Sequence, residues 1–323
     1  MATIVAFVQR AMAFLRAHPK LTKVFQWLLV AATVVFCVWA VKDEWHKAKP
    51  RLENAQPGYL LLSFGVVAVY YLVFILGWIR MLAAWEIRVP YRVALQAEMV
   101  SMLAKYLPGG VWTPAARTVA LRKAAGVTDT ARVLASILIE AALSAISGVL
   151  VFVISLAWVK GVDAPLLPLV AFALLCVIGI HPRVFRPLAE NLLKPFSGSA
   201  SIEPLPFPLM IVLLLFYCGT WLIGGVAVYF MLRSVGSDPG LSTIPYLGGV
   251  SAVGAIVAVL AFFVPSGLGA REASMYGLLL AITTAGPALS VTLINRLAIT
   301  LVEVILFGVG VVTWRSAPRP ELE

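Results

Sequence analysis

The chain predicts an all-α, polytopic bundle of membrane-spanning helices, and three observations carry that prediction. Mean hydropathy is +0.97 and only 12% of residues are charged. Charge-free apolar runs recur along most of the 323 residues. The basic residues behind the net charge of +10 gather between those runs. A crossing helix needs about 20 apolar residues, and a soluble fold would have no polar faces left to cover so many apolar runs. The basic segments fit contact with anionic lipid headgroups, so the bilayer is the expected partner and nucleic acid is not.

The elements follow in order. Residues 1–23 place Arg10, Arg16, Lys20 and Lys23 among Ile4, Val5, Phe7, Val8, Phe14 and Leu15 at roughly helical spacing. This predicts an amphipathic helix lying on the cytoplasmic leaflet. Residues 24–41 are apolar beyond the length of a usual signal core, so they read as a retained anchor. Further charge-free runs cover 58–79, 164–180, 204–232 and 239–270. The last is too long for one crossing and carries Pro265, Gly267 and Gly269, which divide it into a helix over 244–264 and a new element. Three more spans must tolerate charge: roughly 133–159 with Glu140, 268–285 with Arg271 and Glu272, and 290–314 with Arg296 and Glu303. About eight spans result, in a single domain over 24–315, followed by a short cytoplasmic tail at 316–323. Basic loops at 80–92, 117–132 and 181–194 put both termini on the cytoplasmic side. The 42–57 loop is the exception, with four basic residues balanced in part by Asp43, Glu44 and Glu53.

No full span fits between 93 and 131. Residues 93–106 set Glu98, Ser101 and Lys105 on one helical face and stop at Pro108, Gly109 and Gly110. A short helix ending in such a break predicts a re-entrant hairpin, which membrane interiors tolerate only where protein or a water-filled cavity satisfies the backbone. An interfacial helix followed by an ordinary loop is the alternative.

Ionisable side chains inside spans cost about 2.5–3.5 kcal/mol each even on lenient scales, so they mark pathways or partners. Glu140 shares a stripe with Ser136, Ser144 and Ser147 on an otherwise apolar helix. Arg271 and Glu272 open the helix after the Pro265 break and, being adjacent, point to partners on other spans. Arg296, Thr300 and Glu303 share one face of the last span, either as a function-bearing set or as a structural neutralised pair. The two halves also echo each other. Glu140 lies 32 residues after Pro108, and Arg296 lies 31 after Pro265. Broken helices in corresponding positions of two halves point to a transporter's binding site. Cys37, Cys176 and Cys218 stand alone, and His18, His46 and His181 form no ligand set, so neither metal nor cofactor is expected. No phosphate-binding G-x-x-x-x-G-K-[ST] loop occurs, which argues against ATP-driven work by this chain.

The order LPGG, AR, LRKAAGV and Glu over 107–140, then VPSGLGAREA and INR over 264–296, resembles the lysylphosphatidylglycerol synthase/flippase transmembrane family across roughly 50–315. That family includes the membrane half of bacterial multiple peptide resistance factors. The second motif matches at Pro265, Gly267, Gly269, Arg271 and Glu272. The first differs, with Pro114, Ala115 and Ala116 before Arg117 where many members carry Gly-Glu. The resemblance implies a bacterial inner-membrane domain of the cell envelope that moves a charged lipid between leaflets. The family's aminoacyl-transfer half is a separate soluble domain, so no enzymatic activity and no catalytic residues are expected here. The expected substrate is an anionic, phosphate-bearing lipid, either a phospholipid or a polyprenyl-phosphate-linked glycolipid. Arg117, Arg271, Arg296 and Lys105 are the candidate phosphate-binding residues. Glu140, Glu272, Glu303 and Glu98 would balance them or carry a coupling proton. Two other classes stay open: a non-catalytic partner of a glycosyltransferase or lipid-synthesis enzyme, and an intramembrane headgroup enzyme. An oligomer is compatible with all three.

Overall fold

A computed structural model describes residues 53–106, 112–157, 203–261 and 265–315, together with Val159 and Ile178. Among these the only regular secondary structure is helix. In chain order the helices are α1 (Pro57–Ala84), α2 (Tyr91–Ser101), α3 (Trp112–Ala125), α4 (Thr130–Ser155), α5 (Phe207–Ser234), α6 (Ile244–Leu260), α7 (Ala270–Leu279) and α8 (Ala285–Arg315). Three 3₁₀ segments join them: Met102–Tyr106 after α2, Leu241–Thr243 before α6, and Pro265–Gly267 before α7.

Five helices are long and apolar enough to cross a membrane: α1, α4, α5, α6 with its leading 3₁₀ turn, and α8. Helices of 26 to 31 residues reach about 39–46 Å at 1.5 Å per residue, more than the roughly 30 Å hydrocarbon core. The protein is thus a multi-pass membrane protein. One expected span is corrected. Residues 268–285 do not form a crossing, because α7 has only 10 residues and covers about half the core thickness. The turn at 280–284 then passes directly into α8. The 1–23 helix, the 24–41 and 164–180 spans, the Pro108-Gly109-Gly110 break and the 316–323 tail lie outside the described residues.

Local signals account for the helix starts. Pro57 sits in the first turn of α1 and a proline likewise opens α5, where a missing N–H costs nothing. The Asp129 carboxylate accepts from the Arg132 amide at 3.0 Å and caps α4. Leu61, Leu62, Val69 and Leu76 on α1 stay exposed, as expected of a face turned to lipid.

α5 is the central post and packs against α1, α4, α6 and α8. α6 is wedged in by glycines. A Cβ on Gly248 would come within 2.5 Å of the Trp221 carbonyl oxygen, and one on Gly249 within 2.5 Å of Phe152 Cα. Two apolar cores result. One joins α1 to α5 around Ile75, Trp78, Leu143 and Tyr217. The other joins α1, α5, α6, α7 and α8 around Met231, Leu247, Val291 and Ile294.

The short helices α2, α3 and α7 position the site. α2 and α3 pack together as a hairpin, and α2 leans on α8. α6 and α7 form a second hairpin folded about the Pro265–Gly267 turn. The 3₁₀ segments Met102–Tyr106 and Pro265–Gly267 touch each other. The end of the α2 arm and the turn between α6 and α7 therefore meet inside one bundle.

Candidate functional site

Two charged clusters grow from these hairpins. In the first, Arg117 of α3 is held between Glu98 of α2 and Glu140 of α4, with Nη2 on the former and Nη1 on the latter. All three side chains are largely buried. The Tyr217 hydroxyl of α5 donates to Glu140 Oε1 at 3.3 Å. The guanidinium lies 4.7 Å from the centre of the Trp78 ring, a favourable cation–π position. Arg117 thus meets two carboxylates and an aromatic face, and this cluster carries one excess negative charge.

The serines that share the Glu140 stripe do different work. Ser136 Oγ accepts from Trp78 Nε1 at 2.7 Å and Ser147 Oγ donates to the Leu214 carbonyl at 2.8 Å. The carbonyl of Ser144 accepts from Trp221 Nε1 at 2.7 Å. These are inter-helix fastenings, whereas Glu140 serves the arginine.

The second cluster lies where the hairpins meet α8. Glu303 has no exposed surface and accepts from the Lys105 ammonium and the Tyr71 hydroxyl. The Tyr106 hydroxyl lies 3.1 Å from Glu303 Oε2 and 3.3 Å from Thr300 Oγ1. About two turns earlier on α8, the Arg296 guanidinium sits 3.5 Å from Glu272 Oε1 and donates through Nη1 to the Ser266 carbonyl at 3.2 Å. Arg296 and Glu303, on one face of one helix, therefore do not neutralise each other. Each takes a partner from a different hairpin.

The turn geometry explains how Ser266 presents that carbonyl. Ser266 adopts a left-handed conformation, φ 52° and ψ 23°, at a cost of about 1–2 kcal/mol for a non-glycine residue. Gly267 follows at φ +64°, and a Cβ there would lie 2.3 Å from Ala258 Cα. The break is thus pressed directly onto α6. The Gly269 amide donates to Glu272 Oε2 at 2.6 Å, so α7 caps its own amino terminus.

Donors remain unmatched. Arg296 is 3% exposed, yet among the described residues its Nε and Nη2 have no hydrogen-bond acceptor, and neither do the buried Nε atoms of Arg271 and Arg117. Arg271 forms no ion pair among the described residues. Arg271 and Arg296 both act electrostatically on Lys105, and Arg271 also acts on Tyr70 and Tyr71 of α1. The side chain of Lys105 is 32% exposed although its partner Glu303 is almost fully enclosed. Among the described residues no three His, Cys, Asp or Glu side chains form a group that could hold a metal ion.

Of the residues singled out by sequence, Glu98, Arg117 and Glu140 come together in one cluster. Lys105, Glu303, Arg271, Glu272 and Arg296 gather around the other, with Pro265, Gly267 and Gly269 at its turn. Sequence reasoning overlooked Trp78, Tyr71, Tyr106 and Tyr217. Their signal was a tyrosine or tryptophan in or beside a charge-bearing span, since a buried ring with a polar tip must find a partner.

Among curated proteins, none matches the chain closely enough to count as a relative. The family model described as the lysylphosphatidylglycerol synthase TM region matches residues 25–308, most of the chain. That match spans both hairpins, both buried clusters and the Pro-Gly turn between α6 and α7, and by it the chain belongs to the lysylphosphatidylglycerol synthase transmembrane region family.

Proposed function

We propose that this protein moves an anionic, phosphate-bearing lipid between the leaflets of the cell membrane, as a flippase or scramblase, without covalent chemistry. The observation that carries this reading is the free edge of Arg296. Nε and Nη2 lie side by side on one edge of a guanidinium, and that edge binds two oxygens of a phosphate or carboxylate at once. Burying a charged donor set without acceptors costs several kcal/mol, which favours a site whose acceptors arrive with a ligand. Arg271 adds a second cation, with a buried Nε that has no acceptor among the described residues.

The surroundings support lipid as the bearer of that phosphate. The family is a membrane domain tied to lipid handling, and the site stands where the α2–α3 hairpin meets the short α7 and its turn within a bundle of crossing helices. Such broken helices allow one half to rock against the other around a fixed site. Arg117 fits this reading as a structural cation, because Glu98 and Glu140 already neutralise it. Phosphate binding thus centres on Arg296 and Arg271, with Lys105 already paired to Glu303.

The test is reconstitution into vesicles that carry a tail-labelled anionic phospholipid in both leaflets, followed by quenching from outside. Protein-dependent loss of the protected inner-leaflet signal is expected. An unchanged protected fraction with and without protein would sink the reading.

A further inference from the structure

The lipid-phosphate reading of the Arg296 site leaves open how much charge the headgroup carries. Among the described residues, the charged groups linked to Arg296 at this junction are Glu272, Lys105, Glu303 and Arg271. Lys105 and Glu303 are joined as a pair and cancel. Among the described residues the charges left over are those of Arg296 and of Arg271, which has no ion pair, against the single carboxylate of Glu272, one net positive charge.

Glu272 cannot easily withdraw. Its Oε2 is tied to the Gly269 amide at 2.6 Å, which fixes the side chain to the first turn of α7. Its Oε1 is buried without a hydrogen bond, 3.5 Å from Arg296 Nη1. It is a fixed negative charge on the far side of the guanidinium from the free edge. The neighbouring cluster adds no compensation, since Glu98 and Glu140 outnumber Arg117 there.

From this geometry we infer that Glu272 sets the charge of the headgroup, so that the site takes a singly charged phosphodiester and rejects phosphomonoester and diphosphate headgroups. A phosphodiester brings the site to neutrality. A phosphomonoester carries about −1.5 to −2 at neutral pH, and a diphosphate at least as much, which leaves uncompensated negative charge in a low-dielectric interior beside a carboxylate. This inference rests on the lipid-phosphate reading and narrows it to one chemical class, which includes phospholipid diesters and monophosphate-linked glycolipids.

The experiment uses two lipids that differ by one methyl group and one charge: tail-labelled phosphatidylmethanol and tail-labelled phosphatidic acid. Both are assayed in vesicles containing the full chain at pH 7.5. Phosphatidylmethanol is expected to cross on the order of tenfold faster than phosphatidic acid. In Glu272→Gln, whose amide oxygen still accepts from Gly269, that preference should fall to about threefold or less. Equal rates for the two lipids in the wild-type protein overturn the inference while the transport reading stands. A wild-type preference that Glu272→Gln leaves intact removes Glu272 from the role. Movement of neither lipid overturns the transport reading and the inference together. The lipid pair needs no variant, so a Glu272→Gln protein that fails to fold still leaves the charge preference decided.

Discussion

Arg296 reaches Glu272 at 3.5 Å without making a hydrogen bond to it. The equivalent contact in the first half is closed: Arg117 is gripped by Glu140 and again by Glu98. In the first half the arginine is on the hairpin and the acid on the next span, 23 positions later (117 to 140). In the second the acid is on the hairpin and the arginine on the span, 24 positions later (272 to 296). Nearly the same spacing thus carries an exchanged pair of charges: both Nη groups of Arg117 meet carboxylates and only its Nε lacks an acceptor among the described residues, whereas Arg296 lacks one at both Nε and Nη2. On the proposed function, that difference makes the first pair structural and the second the one that meets the ligand.

Replacing Arg296 by lysine separates charge from geometry. Lysine keeps the positive charge opposite Glu272 but removes the Nε/Nη2 edge and cannot chelate two oxygens. Transport of an anionic phospholipid should fall on the order of tenfold or more, as expected for losing a charge-assisted bidentate contact. Size-exclusion behaviour and thermal unfolding in detergent should stay close to wild type. Wild-type transport by Arg296→Lys would show that only the charge matters.

Arg117 responds in the opposite manner. Glu140→Ala leaves Arg117 with Glu98 alone and strands the Tyr217 hydroxyl in the core. Removing one partner of a buried pair costs about 3–5 kcal/mol, here moderated by the second carboxylate. Thermal unfolding of the purified protein is expected to shift down clearly, with transport lost in proportion to folded protein. A Glu140→Ala variant of unchanged stability but abolished transport would move Glu140 into the transport machinery.

Legibility in the sequence followed the strength of the physical signal. The bundle was readable because apolar runs of crossing length leave few alternatives, and α1, α4, α5 and α8 fall near their expected positions. The 268–285 element misled because its hydropathy averages over α7, the turn at 280–284 and the start of α8. Only the backbone distinguishes a half-length helix from a full one. Glu140, Arg271, Glu272, Arg296 and Glu303 could be named because charge in an apolar span is conspicuous. Their partners could not, since pairing Lys105 with Glu303 or Glu272 with Arg296 depends on how the hairpins lean on α8. The division of Arg117 from Arg296 was hidden for the same reason.

The packing of α6 makes a prediction independent of transport. Gly248 and Gly267 lack space for even one carbon: a Cβ would stand 2.5 Å from the Trp221 carbonyl oxygen at the first and 2.3 Å from Ala258 Cα at the second. Both obstacles are backbone, which cannot swing aside as a side chain can. Gly267 carries a further penalty, because its φ of +64° disfavours any residue with a Cβ by about 1–2 kcal/mol. Gly219 and Gly224, on the same α5 that Gly248 faces, have no atom within 4 Å of where a Cβ would stand. Alanine at Gly248 or Gly267 should therefore destabilise the protein by roughly 1–3 kcal/mol or more through overpacking. Alanine at Gly219 or Gly224 should be neutral or slightly stabilising, since each replaces a poor helix former within a helix. Thermal unfolding of the four single variants in one detergent checks the ordering. If Gly248→Ala and Gly219→Ala unfold together, the close approach of α6 to α5 is wrong.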